Sequence, residues 1–208
     1  MEKIYNPTSV NMLLGCLLQD SSLVLSDKYP LDKTDFCLSY QKFIYVAIFN
    51  LYKKGKKSIG FMELDTYLSK YPEQYEVFKD CGGRGNVEDY LDTIIELANL
   101  DNYEGYYNDV RKLSCIRDYR DSGCDIDKFW NYNVSDEDNL KGLDGVGIEE
   151  IVGYFELIQI EINRKYIGHN KIQEMICGDG FDKVLDEFGE EPMVGAQICQ
   201  PMLNENIS

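Results

Sequence analysis

Apolar side chains in this chain recur every three or four residues, segment after segment, and few stretches alternate as a half-buried strand would. That rhythm lays one apolar stripe along each of several helices, so the sequence predicts an all-α fold. The first stripe is Val10, Leu13, Leu14, Leu17 and Leu18, after Pro7-Thr8-Ser9, where Ser or Thr is available as a cap. Residues 21–31 read as a short helix or loop ending at Pro30. The next stripe, Phe43, Ile44, Ala47, Ile48 and Leu51, stops at the basic turn Lys53-Lys54-Gly55-Lys56-Lys57. A short helix over 61–68 is closed by Tyr71-Pro72, because a proline disfavours helical backbone in the residue before it.

Past the turn Gly82-Gly83-Arg84-Gly85, two helices are expected over 87–100 and 102–122. So short a break predicts an antiparallel helical hairpin, and Gly123 is placed to end it. Asn, Asp, Ser and Gly then dominate, which marks 131–148 as a linker. The stripe Ile151, Tyr154, Phe155, Ile158 and Ile162 makes 149–167 an isolated amphipathic helix. Short helices and a tail without a period fill 168–208. The predicted architecture is a small helical-bundle head (1–130) with a protruding hairpin (87–122), then a linker and a lone helix.

Composition narrows the function classes. Apolar residues are 44% and aromatics 12% of 208 residues, enough for a core and too much for a disordered chain. Asp and Glu number 37 against 21 Lys and Arg, a net charge of −16. That balance argues against a phosphate-binding surface over most of the molecule and favours a basic partner. The seven cysteines form no CxxC and are widely spaced, so reduced, mostly buried thiols are expected rather than a disulfide framework or a zinc site. No stretch resembles a signal peptide or reaches the ~18 apolar residues of a membrane span, so a cytoplasmic location and no membrane partner are expected.

Candidate chemistry is sparse. Gly55-Lys56-Lys57-Ser58 lacks the upstream glycine and the Ser or Thr directly after the lysine that a phosphate loop needs, and reads as a solvated turn. The single histidine, His169, is expected at a helix end as a surface or capping residue. No Ser or Cys sits in a nucleophile motif. Asp121, Asp125 and Asp127 near Gly123 do not follow the order of a calcium loop. No catalytic, cofactor-binding or metal-binding residue is therefore assigned. Tyr103, Tyr106 and Tyr107 with Arg111, Arg117 and Arg120 along 102–122 could meet nucleic acid or protein. The surrounding acidity favours core plus a protein interface, with nucleic-acid contact weak or indirect. The stripe from Ile151 to Ile162 must be buried on something, and periodicity leaves its own domain, or a groove of another subunit or another domain, as equal choices.

The order of these features resembles the N-terminal domain and linker of DnaB-type replicative DNA helicases, in diverged phage or mobile-element form. Asn6-Pro7-Thr8-Ser9 and Leu14-Gly15-Cys16-Leu17-Leu18 are similar to the family's first helix with its "LG" step. Phe36, Phe43-Ile44-Tyr45-Val46-Ala47-Ile48, Leu51 and Gly55 resemble the family's second signature, with Gln41 or Lys42 where the family often has histidine. Tyr90-Leu91, Tyr106-Tyr107-Asn108-Asp109-Val110-Arg111, Ile116-Arg117 and Gly123 resemble its helical hairpin. The likeness covers roughly 6–130 and, less closely, 149–167.

The resemblance implies a head that self-associates as a dimer or higher ring through Tyr103, Tyr106, Tyr107, Val110, Arg111, Leu113, Ile116 and Arg117. It implies a helix that docks on a neighbouring subunit's motor domain through Ile151, Tyr154, Phe155, Ile158 and Ile162. A surface for primase or a helicase loader would follow by analogy. Family members continue into a RecA-like ATPase with a phosphate loop, which this sequence lacks; Phe188-Gly189-Glu190-Glu191-Pro192 looks like a run-in to one. ATP and Mg would be cofactors only if that motor follows. The rival reading is a free-standing phage or mobile-element regulator, a helicase inhibitor or loader adaptor with the same head fold.

Overall fold

The computed structural model describes residues 4–83 and 85–167. Among them every regular element is helical: α1 (Pro7–Gln19), α2 (Ser39–Lys53), α3 (Phe61–Leu68), α4 (Pro72–Asp80), α5 (Val87–Leu97), α6 (Tyr103–Asp121), α7 (Asp136–Gly142) and α8 (Ile148–Ile167), with short 3-10 turns between some of them. The all-α expectation holds. No helix among the described residues is long and apolar enough to cross a membrane. The chain divides into two compact units, one ending at Glu156 and one beginning at Leu157, inside α8.

The first unit is organised around α1. Asn6, not Ser or Thr, caps it: its Oδ1 accepts from the amides of Thr8 (3.0 Å) and Ser9 (3.2 Å), with Pro7 at the first helical position. From Leu13 to Leu18 every residue is buried, so α1 has neighbours on more than one side. It packs chiefly on α5 and α6. A methyl group at Gly15 would overlap the carbonyl oxygen of Ile94 and come within 2.7 Å of the Ala98 Cβ, so only glycine lets α1 and α5 approach this closely. Gln19 Nε2 secures the same contact by donating to the carbonyls of Ile95 (2.6 Å) and Ala98 (2.9 Å) at the end of α5.

This position of α1 corrects the hairpin. The short 3-10 turn Leu100–Asn102 joins α5 to α6, but both helices lean on α1 rather than forming a closely packed pair, and neither protrudes. On the far side α2 packs against α3 and α4. Proline 72 both ends the turn after α3 and opens α4, which the sequence reading had no stripe to reveal.

Two apolar cores result. The larger gathers Leu13, Leu14, Leu17, Phe36, Ile44, Ile48, Leu64, Leu68, Phe78, Leu91 and Val110 from α1 to α6. The smaller comprises Ile4, Leu113, Ile116, Ile126, Phe129, Trp130, Leu143, Ile151 and Phe155. Hence α6 spans both, with Val110 in one and Leu113 and Ile116 in the other.

The expected linker 131–148 is structured. Ser135 caps α7, its Oγ accepting from the Asp138 amide (3.2 Å). Buried Asn139 closes a clamp on Asn131, accepting from its amide (2.9 Å) and donating to its carbonyl (3.0 Å). A polar stretch can thus fold when one buried amide side chain satisfies the backbone that a linker would leave to water. The expectations for His169 and for 168–208 fall outside the described residues.

Candidate docking surfaces

The eight residues of α6 expected to face a second copy are spent within the unit. Tyr103, Val110, Leu113, Ile116 and Arg117 are buried, and Tyr106 and Tyr107 are half-buried against the larger core. Tyr29 takes both Tyr103 (ring centroids 5.3 Å apart) and Tyr107 (5.2 Å) edge-on, and the Tyr107 hydroxyl donates to the Pro30 carbonyl (3.2 Å). Burial raises the Tyr103 phenol well above the ordinary tyrosine range, with neighbouring Cys16 adding to it.

The arginines are also engaged internally. Arg111 Nη1 meets the carboxylate of Asp35 at 2.7 Å, and that side chain is fully buried. The other Asp35 oxygen accepts from the Asp32 amide (2.7 Å). Arg117 donates to three backbone carbonyls, Ile4 (2.8 Å), Thr34 (3.2 Å) and Asp35 (2.7 Å), tying the N-terminal segment and the 3-10 turn Lys33–Asp35 to α6. Burial pulls the Arg117 guanidinium below its usual range. Tyr103, Tyr107, Arg111 and Arg117 of the row that reads as a partner surface in sequence therefore tie α6 to residues within 4–35, while Arg120 pairs with its neighbour Asp121.

The stripe of α8 is divided. Ile151 and Phe155 belong to the smaller core, where Phe155 stacks on Tyr119 (3.8 Å, 20° between planes) and lies 5.9 Å from Phe129. Tyr154 packs edge-on to Phe129 at 5.4 Å. These three of the five expected docking residues are thus buried or packed on their own unit, which decides between the two choices left open for this part of the helix. In the second unit, Ile158 and Ile162 are exposed, as are Leu157, Ile160, Tyr166 and Ile167. Those side chains are interleaved with Gln159, Glu161, Asn163, Arg164 and Lys165.

A third surface includes the turn that reads in sequence as solvated. The end of α2, the following turn and α3 form a groove of about 290 Å³ lined by Leu51, Lys54, Lys56, Met62, Tyr67 and Lys70, with Glu63 and Thr66. Gly55, at φ +89°, provides the left-handed step that turns the chain out of α2. Over 49–71 five lysines (53, 54, 56, 57 and 70) stand against two carboxylates, a local +3 in a chain of net charge −16. Both carboxylates already accept hydrogen bonds: Glu63, at the groove, from the Gly60 amide (3.1 Å), and Asp65 from the Tyr75 hydroxyl (2.9 Å). Among the described residues none of the five lysines is in an ion pair, while Lys54 lies over the Tyr67 ring (5.3 Å). The missed signal was the ratio, five cations in so short a stretch of so acidic a chain.

No constellation of reacting groups accompanies these surfaces. Among the described residues no cluster of three or more His, Cys, Asp or Glu could hold a metal ion. Cys16 is buried, and burial raises its thiol from 9.0 to about 11, the opposite of what an activated nucleophile needs.

Over 200 residues the chain is 28% identical to an SPbeta prophage-derived uncharacterized protein, YorI, of Bacillus subtilis (strain 168). The match takes in 94% of this chain and 39% of that protein, so the chain spans about two-fifths of the length of the curated relative it matches. No family model matches the chain, and no solved structure matches it.

Proposed function

We propose that this chain is the assembly and partner-docking module of a replicative DNA helicase of phage type. In this role it associates with copies of itself, lays the second half of α8 on the motor domain of a neighbouring subunit, and presents the head to primase or a helicase loader. The observation that carries the proposal is the division of α8. Its first half is fixed by Ile151 and Phe155, while Leu157, Ile158, Ile160 and Ile162 remain exposed. Leaving that much apolar side chain in water is unfavourable by roughly 25 cal/mol per Å², which favours a helix built to be covered.

The prophage relative favours this module over the free-standing regulator, since the match takes in only 39% of that protein's length. Its origin is compatible with a phage replication protein. The dependence on ATP and Mg would belong to the motor domain, not to any residue described above. The test is the gene past codon 208: an open frame encoding G-x-x-x-x-G-K-[ST] is expected. A frame that closes directly after Ser208 contradicts the module and leaves the regulator.

A further inference from the structure

The acidic face of α5 offers what the lysine groove lacks. Glu88, Asp92 and Glu96 are four residues apart and form one ridge, with Asp89 and Leu97 on the ridge beside it. All five are exposed, and among the described residues none of the carboxylates is ion-paired. At 1.5 Å per residue the acidic ridge is about 12 Å long. The helical part of the groove wall, Met62 to Leu68, is about 9 Å long on the same count, and Lys70 lies just beyond its end. Apolar tips accompany both: Met62 is 69% exposed at the groove, and Leu97 is 63% exposed beside the ridge.

We propose that the lysine groove of one copy receives the acidic α5 ridge of a second copy, a head-to-tail contact with Lys54, Lys56 and Lys70 opposite Glu88, Asp92 and Glu96. This rests on the self-association in the preceding reading and supplies the surfaces that buried α6 does not. Both halves of the contact are present in one chain and hence at equal concentration, so no other molecule is required. Made once between two copies the contact is heterologous and generates a closed ring or an open filament; made twice about a two-fold axis it closes a dimer. The groove's free ammonium groups and the ridge's free carboxylates make the contact salt-dependent.

The experiment is the mass of the full chain by light scattering over a concentration series, for three proteins. Lys54→Glu/Lys56→Glu/Lys70→Glu reverses the groove, and Glu88→Lys/Asp92→Lys/Glu96→Lys reverses the ridge. Each alone is expected to weaken association about tenfold or more, and mixing the two reversed variants to restore it. Far-UV circular dichroism checks folding, and Lys54→Gln/Lys56→Gln/Lys70→Gln, a milder change, is expected to fall between. Salt raised from 50 to 500 mM should weaken the wild type. An oligomeric wild type whose mass neither reversal changes overturns the groove-and-ridge contact but leaves self-association standing. A wild type monomeric throughout overturns both. Loss of mass without rescue on mixing, or loss of retention of a fluorescent oligothymidylate with mass unchanged, assigns the groove to another anion and overturns the contact.

Discussion

Gly15 of α1 lies directly against the carbonyl oxygen of Ile94 on α5, with no room for a side chain between the two backbones. The contact fixes which helices are neighbours. It places α1 against α5 and gives the "LG" step a physical meaning, independent of any family likeness.

Gly15→Ala is therefore expected to destabilise the first unit despite the better helix propensity of alanine, which favours it by up to ~1 kcal/mol. The overlap with Ile94 and Ala98 is of the kind that costs about 3 kcal/mol or more. Thermal unfolding should show a midpoint lowered on the order of 5 °C. An unchanged or raised midpoint would mean that α1 and α5 are not packed as described.

Arg117→Met retains much of the apolar stem and removes the donors to Ile4, Thr34 and Asp35. Buried carbonyls left without partners should cost about 2–4 kcal/mol, measured by urea denaturation. Because Arg117 faces inward, the same variant should leave the affinity between copies unaltered. A loss of association at full stability would restore α6 to the interface.

Alkaline stability should reflect Cys16. Its thiol is raised from 9.0 to about 11 in the folded chain, so the unfolded state releases that proton first. The group's contribution is fully present below pH 9.0 and is lost as pH climbs from there towards about 11. Replacing Cys16 by Ala should remove this component, and the slope of unfolding free energy against pH over that window should flatten. Site-mapped alkylation at pH 8 should label exposed Cys124 well before Cys16 or Cys81, both of which are buried. Equal labelling rates would contradict the burial.

Periodicity revealed those helices whose stripes are wide and regular. The expected stretches coincide with α3 at both ends, with α5 at its start, and with α1, α2, α6 and α8 through their apolar positions. It did not reveal α4, in which Phe78 alone is buried, or α7, in which the buried residue is the polar Asn139. Pairing was harder still. A short connection between α5 and α6 argues for a hairpin, whereas the run Leu13-Leu14-Gly15-Cys16-Leu17-Leu18, buried on every side, was the cue that α1 would stand between them. Trp130 and Phe129 were passed over because they follow α6 outside any helical period, yet they anchor the smaller core. On α6, stripe residues and arginines look alike whether they meet another copy or the same chain. Only the tertiary positions of Tyr29 and Asp35 distinguish the two.

The proposed role requires the second half of α8 to couple this module to a helicase motor. The most direct measurement is ATP-driven separation of a forked DNA duplex by the natural gene product, wild type beside Ile158→Asp/Ile162→Asp. Both positions are exposed, so the variant should fold normally. Unwinding by the wild type and at least a tenfold loss in the variant are expected, since a charge placed in a covered apolar face is strongly disfavoured. Equal unwinding by the two, or a natural product that neither hydrolyses ATP nor separates strands, would contradict that role.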